Sequence, residues 1–122
     1  MTLYEEIVFL QYYAGDNIKW VVENVKPYYG ALIPATQLER HLFWSNFDIP
    51  IKTYPKDLIR KAQIPDLQKK YGIDLTGYGI SNKRQVLRNC VEPQIGLDIL
   101  TAVTNLKTTP PIQLYENKGG VL

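Results

Sequence analysis

An α/β fold is the class the sequence predicts, with a sheet that this chain alone does not complete. Three observations lead there. A helix signature over residues 3–14 is followed directly by a strand signature over 18–25, the helix-to-strand order of an α/β sheet. A second strand signature follows at 40–47, and helical spacing of apolar residues returns at 93–106. Two convincing strands against three or four helices leave a doubly wound sheet short of strands, so another chain or a second copy is expected to complete it.

The first helix opens on Thr2-Leu3-Tyr4-Glu5, the form of a capping box. Leu3, Ile7, Leu10 and Ala14 then recur at helical spacing, and Gly15 ends the run. "IKWVVENV" is apolar and β-branched, as a strand should be, yet finishes on Glu23-Asn24-Val25 before the turn signal Lys26-Pro27. "KPYYGALIPATQ" reads as loop or broken helix, because Pro27, Gly30 and Pro34 interrupt it. "RHLFWSNF" has the aromatic, alternating character of a strand. Pro50, Pro55 and Pro65 cut the next stretch into short pieces. A short helix is expected from Ile64, with Pro65 near its start and Gly72 beyond its end. "SNKRQVLRNCV" opens another, capped by Ser81 or Asn82. Ile95, Ile99, Val103 and Leu106 form the stripe of the last helix, and residues 107–122 are a tail without periodicity.

Composition narrows the class of protein. The 122 residues are 45% hydrophobic and 21% charged, an ordinary globular balance for one domain. No apolar run approaches transmembrane length, and the acidic start "MTLYEEIVFL" is unlike a signal peptide. Cys90 is the single cysteine, which rules out an intrachain disulfide and suits a reducing cytoplasm. Charge is segregated: residues 46–90 hold nine bases and four acids, a net +5, while the rest holds five bases and eight acids, a net −3. A basic middle between acidic flanks points to a polyanion partner, although a solvated surface accounts for the same pattern. The nine tyrosines and two tryptophans suit packing faces and base stacking equally.

With these elements in place, "WVVENVKPYY" resembles the Glu-Asn-Val motif of the DNA cytosine-5 methyltransferases. "LYEEIVFL" is similar to the helix before that motif, "LIPATQLERHLFWSNF" to the following Gln-x-Arg-x-Arg block and its strand, and "KRQVLRNCVEPQIGLDIL" to the block that closes the domain. The resemblance spans about residues 3–103 and corresponds to the C-terminal half of the enzyme. It implies a partial Rossmann-like sheet with flanking helices, divided into 1–47 (catalytic part), 48–82 (a short recognition-like insert), 83–106 (closing helices) and a tail.

The resemblance also implies roles. Glu23 would contact the target cytosine, since a strand-end carboxyl facing a flipped base can hold N3 and the exocyclic amine together. Arg40 matches the last Arg of the second block, whereas Leu38 stands at its preceding Arg and Thr36 or Gln37 at its Gln. Asn89 and Val91 match residues that line the S-adenosylmethionine pocket, with Arg88 in the place of a glycine. Lys52, Lys56, Arg60, Lys61, Lys69 and Lys70 would touch the backbone of double-stranded DNA. No metal ligand set is assigned. His41, the lone histidine, is expected to be packed and receives no role, and Cys90 is expected to be buried packing.

The family's nucleophile lies in a Pro-Cys motif, and neither that dipeptide nor the glycine-rich cofactor loop occurs here. The chain is therefore expected to be inactive alone and to pair with an N-terminal methyltransferase half, in the cytoplasm with the nucleoid. The apolar faces of Leu3, Ile7 and Leu10 and of Ile95, Ile99 and Val103 would meet that partner. The alternative is a non-catalytic remnant that binds DNA or protein, as a homodimer for instance.

Overall fold

A computed structural model of the chain describes residues 2–54 and 61–106. The elements run α1 (Leu3–Tyr13), β1 (Val21–Val25), β2 (Thr36–Leu38), β3 (His41–Ser45), α2 (Ile64–Tyr71), α3 (Lys83–Arg88) and α4 (Pro93–Leu106). The fold is α/β: a three-stranded sheet in the order β1-β3-β2, with helices packed on it. Both strand pairs are antiparallel, so these strands do not themselves display the parallel pairing of a doubly wound sheet.

Register explains the layering. Val22 and Asn24 of β1 stand opposite Trp44 and Leu42 of β3, and these side chains share one face. That face meets α1, where Ile7, Trp20, Leu42 and Trp44 form a buried cluster joined by Leu3, Tyr4, Leu10 and Ala14. Val21, Glu23 and Val25 stand opposite Ser45, Phe43 and His41 on the other face. There Leu38 and Phe43 pack with Ile49, Tyr54, Ile95 and Ile99, so α4 covers the side that α1 leaves open. The stripes of α1 and α4 thus close on the chain's own sheet rather than waiting for a partner. What α1 leaves outward is its opposite face: Val8, Phe9, Tyr12 and Tyr13 are all exposed.

The local signals account for most boundaries. The backbone N–H of Thr2 donates to Glu5 Oε2 at 2.8 Å, and Glu5 and Glu6 place negative charge at the positive end of the helix. Gly15 and Gly72 follow α1 and α2 in left-handed conformations, φ 63° and 66°, which a side chain would oppose. Asn46 ties the ends of the sheet: its Oδ1 accepts from Trp20 N–H at 3.0 Å and its Nδ2 donates to Ile18 O at 2.8 Å. Ile49 and Tyr54 enter the core under α4, and Leu67 and Leu75 bury with Leu87 of α3. α3 is also shorter than its sequence signature and ends at Arg88.

β2 is the element absent from the sequence reading. It turns into β3 through Glu39-Arg40, and Glu39 takes φ 52°, the position where such hairpins favour glycine. Gln37 Nε2 braces the turn by donating to Glu39 O at 3.1 Å. Glu39→Gly is expected to raise stability by about 1 kcal/mol, because a left-handed residue with a Cβ costs roughly 1–2 kcal/mol. The check is the urea midpoint. An unchanged or lower midpoint would show that the turn stores no such strain.

Candidate functional site

Glu23 is the third residue of β1 and projects on the α4 side of the sheet, in register with Phe43. Its diagonal neighbour on that face is His41, two residues from Phe43 along β3. The two side chains meet: His41 Nδ1 lies 2.5 Å from Glu23 Oε1. His41 is only 4% exposed, whereas the Glu23 side chain keeps 34% of its surface. Nδ1 and Oε1 share one hydrogen bond, whose donor is set by the imidazole tautomer. The histidine is packed, as expected, but it also clamps the carboxylate, which the sequence reading did not foresee.

Arg40 begins where β3 begins, and its backbone carbonyl accepts from Lys26 N–H at 2.7 Å. Glu23, His41 and Arg40 therefore gather on the half of β1 that pairs with the start of β3. From there the half-buried Arg40 donates from Nη1 to Arg88 O, at 3.3 Å, on the last turn of α3. The structure thus links Arg40 to the junction that holds Asn89 and Val91. At that junction Asn89 Oδ1 accepts from Gln85 Nε2 at 3.2 Å, and Val91 packs on the Phe43–Ile95 cluster. The Nε of Arg88 is buried and has no hydrogen-bond partner among the described residues. Cys90 is half-buried, its Sγ 3.5 Å from Val86 O, and burial pushes its thiol above the usual range.

The six candidate DNA-contacting bases fall into three groups. Lys61 and Lys69 are exposed. Lys52 and Lys70 are engaged within the chain: Lys52 Nζ is 3.1 Å from Asp98 Oδ1, and Lys70 Nζ is 2.7 Å from Glu92 Oε2 and 5.5 Å from the centre of the Tyr71 ring. Lys56 and Arg60 lie outside the described residues. Among the described residues no group of three His, Cys, Asp or Glu side chains is placed to hold a metal ion, and no helix is long and apolar enough to cross a membrane. A cleft of about 450 Å³, bounded by Trp20, Pro34, Thr36, Phe43 and Asp48, includes neither Glu23 nor Arg40.

Asp98 of α4 gathers polar partners of its own. It accepts from Tyr54 Oη at 2.8 Å and from Gln94 Nε2 at 3.1 Å, besides facing Lys52. The Tyr54 hydrogen bond, followed by that of Lys52, holds its carboxyl below the usual range. Burial, then the bond and charge of Asp98, push Tyr54 from 10.0 up to about 12. Tyr54 has the raised value in the fold, so its contribution is complete below pH 10 and is lost as pH rises toward about 12. Asp98 has the lowered value, so its contribution is complete above the ordinary carboxylate range and is lost as pH falls through the folded value. In Tyr54→Phe the alkaline decline of the urea midpoint between pH 10 and 12 should become shallower. An identical slope in both proteins would assign that decline to other groups.

No family model, curated protein or solved structure matches the chain.

Proposed function

We propose that the chain is the C-terminal portion of a DNA cytosine-5 methyltransferase, supplying the carboxyl that contacts the target base and part of the DNA-facing surface. The observation that carries this reading is Glu23 itself. It stands in the middle of β1, its side chain 34% exposed, with one oxygen held against buried His41. Methylation at C5 begins when a nucleophile attacks C6 of a cytosine turned out of the duplex. Charge then builds on the ring, and a carboxyl that donates a proton toward N3 stabilises it. The exocyclic amine finds an acceptor in the same group.

This reading assigns the nucleophile, and a larger Rossmann-like sheet of which β1–β3 would be one margin, to a second chain. β1 is an edge strand of the described sheet, so its outer backbone groups are open to another strand. A second copy is a poorer occupant of that edge. Symmetric pairing of β1 about its middle residue sets Glu23 against Glu23, a like-charge pair. S-adenosylmethionine would supply the methyl group in the assembled enzyme. The residues present do not form its cradle, because Asn89 is engaged with Gln85, Val91 is packed on the core, and a full arginine stands where the family has glycine. That site belongs, in this reading, mainly to the partner.

Double-stranded DNA would meet the exposed Lys61 and Lys69, with Lys56 and Arg60 from the same stretch. The test is transfer of labelled methyl groups from S-adenosylmethionine to mixed-sequence DNA. Activity is expected only when the chain is combined with a chain carrying the Pro-Cys nucleophile and the glycine-rich loop. Activity of the chain alone, or none in the combination, overturns the reading. In the latter case a stable folded homodimer would identify a non-catalytic remnant.

A further inference from the structure

We infer that His41 is a positioning residue for Glu23, one that decides which carboxyl oxygen presents the proton to the base. The inference rests on the methyl-transfer reading and goes beyond it, since nothing in the chemistry of the base requires a histidine.

The argument starts from the contact. His41, 4% exposed, is the one polar or charged residue in the buried class among the described residues. It is fixed between strands, opposite Val25 on β1 and Leu38 on β2. Its Nδ1 is therefore held at a set point, against Glu23 Oε1. A carboxylic acid has one O–H, and in the tautomer with a proton on Nδ1 the ring leaves no room for it on Oε1. With that tautomer the acid form holds its proton on Oε2. Oε1 remains a carbonyl-type oxygen with a second lone pair, able to accept from the exocyclic amine while Oε2 donates to N3. One buried ring thus turns a symmetric carboxyl into an ordered donor and acceptor pair, matched to the two adjacent groups on the cytosine edge. It also holds that edge still, so no rotamer search precedes the reaction.

Three substitutions separate this role from packing. His41→Leu keeps the apolar bulk and loses the donor. His41→Asn keeps a donor near the Nδ1 position, and His41→Gln moves it toward Nε2. With the complementing chain present, His41→Leu and His41→Gln should each lower kcat about 10²-fold with KM for DNA unchanged. His41→Asn should recover most of the rate. In the chain alone, selectively ¹³C-labelled Glu23 should show a rigid side-chain carboxyl in wild type and His41→Asn and a mobile one in His41→Leu. Wild-type kcat in a folded His41→Leu pair overturns the inference, as does equal loss in Asn and Gln or a carboxyl equally mobile in wild type and His41→Leu. An inactive wild-type pair instead removes the methyl-transfer reading on which the inference stands.

Discussion

Glu23→Gln is expected to lower methyl transfer by the complemented pair about 10²–10⁴-fold, the usual range for loss of a positioned proton donor. The substitution is nearly isosteric. Its amide oxygen can still accept from His41 Nδ1, so the side chain stays where it is. Its nitrogen can offer an N–H to ring N3, but it cannot deliver a proton there as charge develops. Substrate binding should survive better than chemistry, so the loss falls on kcat. Stability should hardly move, because the Glu23 side chain keeps a third of its surface and belongs to neither buried cluster of the sheet. Rates measured at saturating DNA, beside a urea melt of the chain alone, check both halves. Retention of the rate within a few-fold would remove Glu23 from the chemistry. A large fall in stability would recast it as a structural partner of His41.

The reach of the sequence is clear from particular elements. α1 and α2 carry their own punctuation, Thr2 with Glu5 and Gly15 for one, Pro65 and Gly72 for the other, so both were legible. Ile95 and Ile99 marked the apolar face of α4, which the sequence reading gave to a partner and the fold turns onto its own sheet. β2 was illegible for a physical reason. Three residues between Pro34 and a turn built from Glu-Arg contain neither an Asn-Gly signal nor an alternation long enough to register. α1 misled in another way. Val8, Phe9, Tyr12 and Tyr13 make its outer face as apolar as its inner one, so periodicity could not say which face meets a partner. The site was half-legible. Glu23 stood out by residue type, although it lies at the centre of β1 rather than at the strand end that the sequence suggested. His41 did not, because the contact arises only from antiparallel register, which sets residue 41 diagonal to residue 23.

Trp44→Ala is expected to cost about 3–5 kcal/mol, the largest effect of any single truncation argued from this fold. Trp44 is the largest of the β3 side chains against which α1 packs. It is buried, stands opposite Val22, meets the ring of Tyr4 edge-on at 6.1 Å, and donates from Nε1 to Ile33 O at 3.0 Å. Tyr4 in turn accepts from Leu32 N–H through its hydroxyl at 3.1 Å, so one indole anchors both the helix and the loop before β2. Alanine opens a cavity there and strands the Ile33 carbonyl. Trp44→Phe separates the two losses: most of the ring remains, and the cost should fall to about 1–3 kcal/mol, that of a buried acceptor without a donor. For a small domain whose whole stability is about 5–15 kcal/mol, the alanine variant stands near the threshold of folding. Urea titrations followed by circular dichroism measure both variants, and a cost below that of Trp44→Phe for the alanine would deny Trp44 its anchoring role. The same titrations bear on the missing sheet. A chain that completes the edge at β1 binds only the folded state, so adding it should raise every midpoint, and should raise that of Trp44→Ala from partly unfolded to folded.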